Sequence, residues 1–528
     1  MRSQSGAMRS PGRAPTRIVS LVAVVLLAAA CGQATPSAAP PTGPLVTQPP
    51  PTTAPSPDPT LAPAQFVLMN FNIEYGGDEV DFAKVIEAID EANPDVVALE
   101  EAEGNTRLVA EALGWPYVSV RHQVVSKLPL IDPPGADGRY LFVEIRPGEV
   151  VAISNVHLPS DPYGPYAVVD GATVEEVIQL ERETRLPPLQ ERLDVLPALV
   201  SAGIPTFLTG DFNTPSHLDW TAAAVGLRPQ ILYPIEWPVT LAAEQAGFRD
   251  AYRELHPDPV ADPGLTWWAG RPLIDGYPDP SEPQDRIDLI LSAGATTVTE
   301  FRIVGEAGGP QVDIEVSPFG TDHRGVVATF TVTPGVPPAF VAVDERLVTT
   351  GHDVTIRFRT GGTLDEQLEV RSADSTGGPA ERFAPGTQRD GTWSIGSAGL
   401  GVGDHEVRLV SPDGAVIAFA PFSVAEPGAE TTLTADAATY ASGAPITVSW
   451  RDAPGARWDW IGIYPAGGDP IVDDYLFYVY TDQGVTGFVV IDESGEGEWP
   501  LAPGEYDAHY LLDDGYVSLA VAPFSVSP

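Results

Sequence analysis

The 528-residue sequence has few cysteines and few lysines, and each scarcity argues against a class of protein. Its one cysteine, Cys31, rules out an internal disulfide framework and any zinc or iron–sulfur site built from several cysteines. Lysine occurs only at Lys84 and Lys127, and 29 Lys and Arg stand against 72 Asp and Glu, a formal charge of −43. Such a field repels phosphate polymers at long range, so the composition disfavours non-specific coating of nucleic acid. A local arginine-lined or metal-charged cleft remains compatible with it.

Apolar runs long enough to cross a membrane are also missing. The N-terminal run Ile18 to Ala30 has 13 residues, whereas a membrane-spanning helix needs about 20. It follows four arginines and ends Leu27-Ala-Ala-Ala-Cys31, which is similar to a bacterial lipobox with Leu one place further upstream than usual. We therefore expect residues 1–31 to be a lipoprotein signal peptide and its lipidated Cys31 to attach the exported protein to the bacterial membrane at the cell surface. The alternative is an ordinary secretory signal with an incidental cysteine.

Composition divides the remaining chain into a linker and three folded parts. Residues 32–63 are rich in Pro, Thr, Ser and Ala and predict a solvated tether. Residues 64–333 alternate predicted strands and helices, which predicts one α/β domain. Beyond Pro337, short strands and a closing segment that occurs twice, Ala420-Pro-Phe-Ser-Val424 and Ala522-Pro-Phe-Ser-Val526, predict two immunoglobulin-like β-sandwiches, residues 337–426 and 430–528. We expect Trp458 or Trp460 to fill the core of the second one.

Polar side chains lie at or just beyond the ends of predicted buried strands in the α/β domain. Strand ends that face one side of a sheet can gather carboxylates from distant positions. Asp, Glu and Asn without Cys are hard oxygen ligands, which suit Mg²⁺, Mn²⁺ or Ca²⁺ better than zinc. Two histidines add acid–base chemistry near neutral pH, and the set suits in-line attack of water on a phosphoester. The residues are Asn72, Glu74, Glu101, His157, Asp211, Asn213, Asp288, Asp322 and His323.

Each of these pieces alone also has a purely structural interpretation. Gly210-Asp-Phe-Asn213 can be a turn that closes a strand, and His157 can be a hydrogen-bonded core histidine. Glu101 can be a solvated strand end, and Arg286 with Asp288 can be a structural pair. The order and joint occurrence of the pieces favour the functional interpretation.

Six motifs together resemble the endonuclease/exonuclease/phosphatase superfamily, which includes deoxyribonuclease-I-like nucleases, bacterial sphingomyelinases and inositol-polyphosphate 5-phosphatases. The resemblance covers residues 66–333, with the motifs in the order typical of that superfamily. It implies two packed β-sheets flanked by helices, with the site at one edge of the sandwich. The motifs are Met69-Asn-Phe-Asn-Ile73, Pro94-Asp-Val-Val-Ala-Leu-Glu-Glu101, Asn155-Val-His-Leu158, Gly210-Asp-Phe-Asn213, Arg286-Ile-Asp-Leu-Ile290 and Thr321-Asp-His-Arg324.

The resemblance also implies a metal site. Glu101 would be the principal ligand of Mg²⁺ or Mn²⁺, helped by Asn72 and, as in some relatives, by Glu74. Asp322 would add to the same metal shell.

The chemical step is assigned by resemblance to a second group of residues. Asp211 would orient or deprotonate the attacking water, and Asn213 would donate to the phosphate. Asp288 would hold His323 in the tautomer that addresses the phosphoryl oxygens. His157 would bind phosphate or assist the leaving group.

The sequence departs from the family pattern at two places. Arg121-His-Gln-Val-Val-Ser-Lys-Leu-Pro-Leu130 is a shortened hairpin without the usual glycine, so the acidic partner of His157 cannot be assigned. The insertion from Asp161 to Arg185 predicts either a lid that sets specificity or a surface excursion, with a helix through its second half. Arg185, His217 and Arg324 are predicted to contact substrate.

Three functions follow from these observations. The first is a cell-surface, metal-dependent hydrolase of a small, sugar or lipid phosphoester, which the anionic composition favours. The second is an extracellular nuclease, for which nucleic acid would be a substrate only. The third is an adhesive or scaffolding lipoprotein with an inactive enzyme domain, against which the intact polar set argues. Nothing in the sequence indicates an oligomer.

Overall fold

A computed structural model describes residues 61–528 except 134, 135, 137, 275–281, 374–377, 456–458, 472, 474, 482, 483, 493–495, 498, 513 and 514. The predicted signal peptide with Cys31, the linker up to residue 60 and Trp458 lie outside the described residues. Among the residues described, no helix combines the length and the apolar character needed to cross a bilayer.

Two β-sheets pack face to face in the first folded part. Phe207 of the second sheet packs against Phe66 and Phe330 of the first, with ring centroids 5.3 and 4.8 Å apart. The strands are β1 (Ala64–Asn72), β2 (Val96–Glu100), β3 (Tyr117–Ser119), β4 (Val124–Ser126), β5 (Leu130–Ile131), β6 (Leu141–Arg146), β7 (Glu149–His157), β8 (Thr206–Asp211), β9 (Arg249–Asp250), β10 (Asp288–Ala293), β11 (Thr296–Glu306), β12 (Ile314–Val316) and β13 (Gly325–Val332). The strand orders are β12-β11-β13-β1-β2-β4-β3 and β5-β6-β7-β8-β10-β9.

Helices cover the outer faces of both sheets, as the α/β pattern predicts. They are α1 (Phe82–Ala92), α2 (Thr106–Leu113), α3 (Gly164–Val169), α4 (Val174–Thr184), α5 (Leu186–Leu193), α6 (Leu196–Ser201), α7 (Pro238–Gln245) and α8 (Ala251–Leu255). Helix α1 ends at Asn93, which has left-handed backbone angles directly before Pro94. The spacing of Leu189, Leu193, Leu196 and Val200 in the sequence predicts one helix face interrupted by Pro197. The structure has two helices there, α5 and α6, and Pro197 lies in the first turn of α6, where no hydrogen bond requires its missing N–H.

Strand pairing brings the predicted site residues to one edge of the sandwich. Strands β1 and β2 run parallel, with Asn72 opposite Glu100. Strands β7 and β8 also run parallel, with His157 opposite Asp211. Strand β10 runs antiparallel to β8 and starts with Asp288 opposite Asp211. Because parallel strands end at the same edge of a sheet, the polar residues that follow them meet there.

Gly210 is the point at which β8 passes closest to β7. Its φ is 145°, and a Cβ at this position would lie 1.8 Å from the carbonyl oxygen of Val156. We expect Gly210→Ala to lower the free energy of unfolding by about 3 kcal/mol or more, since the backbone must move apart beside Asp211. Differential scanning calorimetry of the full chain measures this as a lower transition temperature. Gly399→Ala, where a Cβ meets nothing within 4 Å, is the matched control, and equal transitions for both variants would contradict the prediction.

The chain after residue 333 forms two successive β-sandwiches. The first contains β14 (Phe340–Val343), β15 (Leu347–Thr349), β16 (Asp353–Arg359), β17 (Gln367–Ser372), β18 (Glu381–Phe383), β19 (Asp390–Gly396), β20 (Gly403–Val410) and β21 (Val416–Ala425). The second contains β22 (Thr432–Ala435), β23 (Thr439–Ala441), β24 (Ile446–Arg451), β25 (Trp460–Pro465), β26 (Phe477–Tyr480), β27 (Gly487–Ile491), β28 (Glu496–Gly497), β29 (Gly504–Leu511) and β30 (Ser518–Ser527).

The strand orders of the two sandwiches show the internal repeat. In the first sandwich they are β14-β16-β19 and β15-β21-β20-β17-β18, and in the second β22-β24-β27 and β23-β30-β29-β25-β26-β28. The equivalent strands β21 and β30 carry the repeated closing segment. The duplicated sequence therefore corresponds to a duplicated β-sandwich.

Trp460 is buried, but it does not occupy the core between the sheets of the second sandwich. Successive side chains of a strand point to opposite faces, so Ile461 enters that core while Trp460 packs on the other face with Tyr464. Trp450 of β24 lies in the core instead, near Tyr510.

Both sandwiches contact the α/β domain. Phe340 of β14 belongs to the apolar core behind the second sheet of that domain. Leu512 of the second sandwich has its Cδ2 atom 3.0 Å from the position that a Cβ of Gly104 would take. A Cβ at Gly515 would lie 2.9 Å from the Cα atom of Glu103. Trp460 donates from its Nε1 to the carbonyl oxygen of Gly515 at 3.0 Å. The loop that follows Glu101 therefore rests against the C-terminal sandwich.

Candidate active site

His323 lies between two carboxylates at the edge of the sandwich. Its Nδ1 atom is 3.0 Å from Oδ2 of Asp288, and its Nε2 atom is 3.7 Å from Oδ2 of Asp211. All three side chains are buried, and their donor atoms lie within 4.8 Å of one another. Three residues separated by up to 112 positions thus form one cluster, as the strand ends predict. Because a carboxylate faces each ring nitrogen, this arrangement suits a charged imidazole better than an imidazole that coordinates a metal ion.

Asp211 is the centre of the hydrogen-bond network. Its Oδ1 accepts from the backbone N–H of Asn213 at 2.8 Å, and its Oδ2 accepts from Nδ2 of Asn213 and of Asn72, both at 3.2 Å. His157 Nε2 is 3.7 Å from the same Oδ2 and 3.9 Å from Oε1 of Glu101. The side-chain amide of Asn213 also donates to the carbonyl oxygen of Leu158 at 2.9 Å, so here Asn213 holds Asp211 in place.

Oxygen donors form a second group beside this network. Asn72 donates from Nδ2 to Oε1 of Glu101 at 3.0 Å, and its Oδ1 accepts from the backbone N–H of Glu74 at 3.0 Å. Glu74 accepts from Nη2 of Arg271 at 2.7 Å and from the backbone N–H of Asp322 at 2.9 Å. Glu101 is the most exposed of these carboxylates, at 28 %. A hard cation therefore fits the partly exposed Glu101, with Asn72 beside it, better than Glu74, whose buried carboxylate is paired with Arg271.

Negative charge exceeds positive charge in the cluster. Burial raises the pKa of Glu74 to about 9, and Asp322 adds to the rise against the opposing charge of Arg271. Burial raises the pKa of Asp211 to about 6, a rise that His323 opposes. Burial alone would lower the pKa of His323, but Asp288, Asp322 and Asp211 raise it well above its usual value, which favours the charged imidazole. The excess of carboxylates is the electrostatic setting in which a divalent cation binds.

Left-handed backbone angles occur at four site residues that are not glycine. The φ angles of Glu74, Tyr75, Glu101 and Asn213 lie between 48° and 52°. Such conformations cost of the order of 1–3 kcal/mol each and concentrate at functional sites. Glu101 directly follows β2 and Asn213 lies two residues beyond the end of β8, so these conformations occur where the two strands leave the sheet.

Three functional contacts were not predicted from the sequence. Arg271 reaches Glu74 across 197 positions, and Thr266 Oγ1 accepts the backbone N–H of Asp288 at 3.1 Å. Trp267 donates from Nε1 to Oδ2 of Asp322 at 3.2 Å. Thr266 and Trp267 belong to the run Thr266-Trp-Trp268, which can be recognised in the sequence, whereas Arg271 lies in no motif.

The side chains predicted to contact substrate make other contacts. Arg185 is fully buried and donates to Glu181 at 3.0 Å and to the carbonyl oxygen of Ser160 at 2.7 Å. His217 lies between Thr240 and Glu244, and Arg324 pairs with Glu306 and with the carbonyl oxygen of Leu265 at 2.8 Å. The structure thus does not bring Arg185, His217 or Arg324 to the cluster.

Arg286 pairs with Asp219 and Asp250 rather than with Asp288. Its Nη2 is 3.0 Å from Oδ1 of Asp219 and 2.6 Å from Oδ2 of Asp250, and all three groups are buried. We expect Arg286→Met to destabilise the domain by about 3–5 kcal/mol, because two buried carboxylates would lose their shared cation. Calorimetry of the full chain tests this against Arg182→Met, an exposed arginine on α4. An unchanged transition for Arg286→Met would contradict the prediction.

The chain is similar to known proteins over its first folded part. Residues 69–323 match the model of the Endonuclease/Exonuclease/phosphatase family. An uncharacterised protein of Caenorhabditis elegans is 32% identical over 293 residues, which span 50% of this chain and 90% of the relative. Similar solved structures include an endonuclease/exonuclease/phosphatase family protein of Bacteroides thetaiotaomicron, which is 14% identical in sequence. The match covers 51% of this chain and 99% of that chain, with a TM-score of 0.30. A mannosyl-6-phosphatase of the same species is 14% identical, and the match covers 50% of this chain and 99% of that chain, with a TM-score of 0.28. Through the domain that spans residues 69–323, the chain belongs to the endonuclease/exonuclease/phosphatase family.

Proposed function

We propose that this protein hydrolyses a phosphoester by in-line attack of water, with Mg²⁺ or Mn²⁺ as its cofactor. The observation that carries the proposal is the pairing of His323 with Asp288 and Asp211, next to the oxygen donors of Glu101 and Asn72. The family domain supports a hydrolase acting on phosphoesters.

Asp211 has the position and the environment of a general base. Its carboxylate is fixed by Asn213 and Asn72, so it can orient a water molecule without a change of rotamer. With a pKa raised to about 6, it accepts a proton more readily than an ordinary aspartate and is still ionised at neutral pH. Asn213 acts here by holding Asp211.

His323 and His157 supply hydrogen-bond donors. Asp288 fixes the Nδ1 side of His323, which leaves Nε2 to donate to a phosphoryl oxygen. His157 Nε2 lies 3.7 Å from the same Oδ2 atom of Asp211, where it can bind the phosphate or assist the leaving group. Two imidazoles near one carboxylate oxygen can together contact the phosphoryl oxygens and the leaving group.

Glu101 and Asn72 would hold the divalent cation, with Asp322 close to His323 as a further oxygen donor. When bound, the cation would neutralise the charge that develops on the phosphoryl group. Glu74 would orient Asp322 and Asn72, because it accepts the backbone N–H of the first and donates its own N–H to the second.

Chelation is the direct test of the cofactor. We expect the purified full chain to hydrolyse bis(4-nitrophenyl) phosphate with Mg²⁺ or Mn²⁺, and EDTA to abolish the reaction until metal is restored. Activity that persists in EDTA would overturn the metal assignment. Parallel assays of plasmid nicking, phospholipid turnover and sugar-phosphate turnover separate the substrate classes, and nicking as the dominant activity would favour a nuclease.

We also propose that the protein is exported and attached to the bacterial membrane through lipidated Cys31. The basic residues, apolar run and lipobox-like end of the first 31 residues support this. Metabolic labelling with an alkyne fatty acid should label the parent chain and not Cys31→Ser. Equal labelling of both would contradict the proposal.

A further inference from the structure

The loop between β2 and α2, residues 101–105, has a backbone conformation that needs support from outside the loop. The φ angles of Glu101, Glu103 and Gly104 are 52°, 45° and 84°. Positive angles of this kind are unfavourable for residues other than glycine and persist only where surrounding contacts fix them. The backbone at Glu101, which carries the proposed metal ligand, therefore depends on what packs against this loop.

Hydrogen bonds to the turn at residues 75–77 fix the two ends of the loop. The backbone N–H of Gly76 donates to the carbonyl oxygen of Glu101 at 2.7 Å. At the other end, Nδ2 of Asn105 donates to the carbonyl oxygen of Gly76 at 2.9 Å. The backbone N–H of Asn105 also donates to the carbonyl oxygen of Ala102 at 2.7 Å. A displacement in the middle of the loop would therefore be passed on to Glu101.

The middle of the loop packs against the C-terminal sandwich. Cδ2 of Leu512 is 3.0 Å from the position that a Cβ of Gly104 would take. A Cβ at Gly515 would be 2.9 Å from both Cα and Cβ of Glu103, a distance too short for a real Cβ atom. Because residue 515 is glycine, the sandwich can lie directly against the backbone of the loop.

A buried indole holds Gly515 at this contact. Trp460 is fully buried, and its Nε1 donates to the carbonyl oxygen of Gly515 at 3.0 Å. The rings of Tyr475 and Tyr516 meet the indole edge-to-face, with centroids 5.5 and 5.9 Å from it. The backbone N–H of Gly515 donates to the carbonyl oxygen of Leu512 at 2.9 Å, which joins the two contact residues. Since close-packed side chains transmit strain, the sandwich presents a rigid surface to the loop.

We propose that the C-terminal sandwich holds this loop so that Glu101 is in place for the divalent cation, and that docking of the sandwich and binding of the cation stabilise each other. Leu512, Gly515 and Trp460 are then positioning residues, which act through the loop rather than by touching the cation or the substrate. The inference rests on the proposed function, because it takes Glu101 as a metal ligand. Two events that favour the same conformation strengthen each other by the same factor.

Gly515→Ala tests the contact directly, because it places one methyl group against the backbone of Glu103. We expect its Kd for Mn²⁺, measured by calorimetric titration of the full chain, to rise by about tenfold. The Mn²⁺ concentration for half-maximal hydrolysis of bis(4-nitrophenyl) phosphate should rise by the same factor, and kcat should recover at saturating Mn²⁺. Gly504→Ala is the matched control in the same sandwich, since a Cβ there would meet no atom closer than 3.4 Å.

Leu512 provides a second pair of variants that removes atoms instead of adding them. Leu512→Ala should also raise the Kd for Mn²⁺, whereas Leu512→Met, which keeps the volume of the side chain, should retain the affinity of the parent. If Gly515→Ala and Leu512→Ala lower the thermal transition but leave the Mn²⁺ affinity unchanged, the sandwich has a structural role alone and the inference is overturned.

Hydrogen exchange without metal separates this inference from the proposed function. The amide of Asn105, which closes the loop, should exchange about tenfold faster in Gly515→Ala than in the parent or in Gly504→Ala. If the parent binds no Mn²⁺, the proposed cofactor fails, and faster exchange at Asn105 still supports the part of the inference that concerns the loop. Equal exchange at Asn105 in all three proteins would overturn the inference whether or not Mn²⁺ binds.

Discussion

Replacing His323 with alanine is expected to reduce kcat/KM for phosphoester hydrolysis by about 100- to 10,000-fold. Among the described histidines, only His323 has ring nitrogens within 4 Å of both Asp211 and Asp288, and the substitution removes this imidazole. In the proposed mechanism it also removes the donor that Asp288 holds for the phosphoryl oxygens, so the loss should appear in kcat. Steady-state kinetics with bis(4-nitrophenyl) phosphate at saturating Mg²⁺ measures it.

Two further variants make the His323 result specific. Asp288→Asn keeps the imidazole but removes its charged partner, so kcat should fall less than in His323→Ala, and the fall should be steepest at high pH, where the imidazole loses its proton more easily. His352→Ala, an exposed histidine on the first β-sandwich, should retain full activity. Wild-type kcat in His323→Ala, with intact folding by circular dichroism, would remove His323 from the mechanism.

Glu101→Gln should weaken divalent-metal binding and activity by about 100-fold or more, since the amide keeps the shape of the side chain and removes its charge. Calorimetric titration with Mn²⁺ measures the affinity directly, and the activity should recover in part at high metal concentration. Glu111→Gln, an exposed carboxylate on α2, is the charge-matched control. Unchanged Mn²⁺ affinity in Glu101→Gln would move the metal site to the group formed by Asp211, Asp288 and His323.

The sequence could predict the strand ends of the site because that signal is local. A buried apolar run followed by a polar residue, as at Asn72 and Asp211, identifies both the strand and the residue at its end. Parallel pairing of β1 with β2 and of β7 with β8 then makes these residues meet, which follows from the α/β pattern. The break between α5 and α6 could have been predicted as well, since proline favours the first turn of a helix.

Contacts that depend on tertiary packing could not be predicted in the same way. Arg271 pairs with Glu74 across 197 positions, and no local pattern distinguishes it from a surface arginine. The burial of Arg185 with Glu181 likewise depends on α7, whose neighbour Trp237 lies close to Gly164. The face on which Trp460 lies depends on strand register, because a shift of one residue exchanges the two faces.

The loop after Glu101 contacts the C-terminal sandwich, and this contact limits where the chain can be shortened. Leu512 and Gly515 lie directly against Gly104 and Glu103, while Trp460 fixes Gly515 from behind. Removing the last hundred residues would leave the turn behind a proposed metal ligand without its support. The C-terminal sandwich therefore supports the proposed site, and a variant that ends after residue 333 would lack this contact.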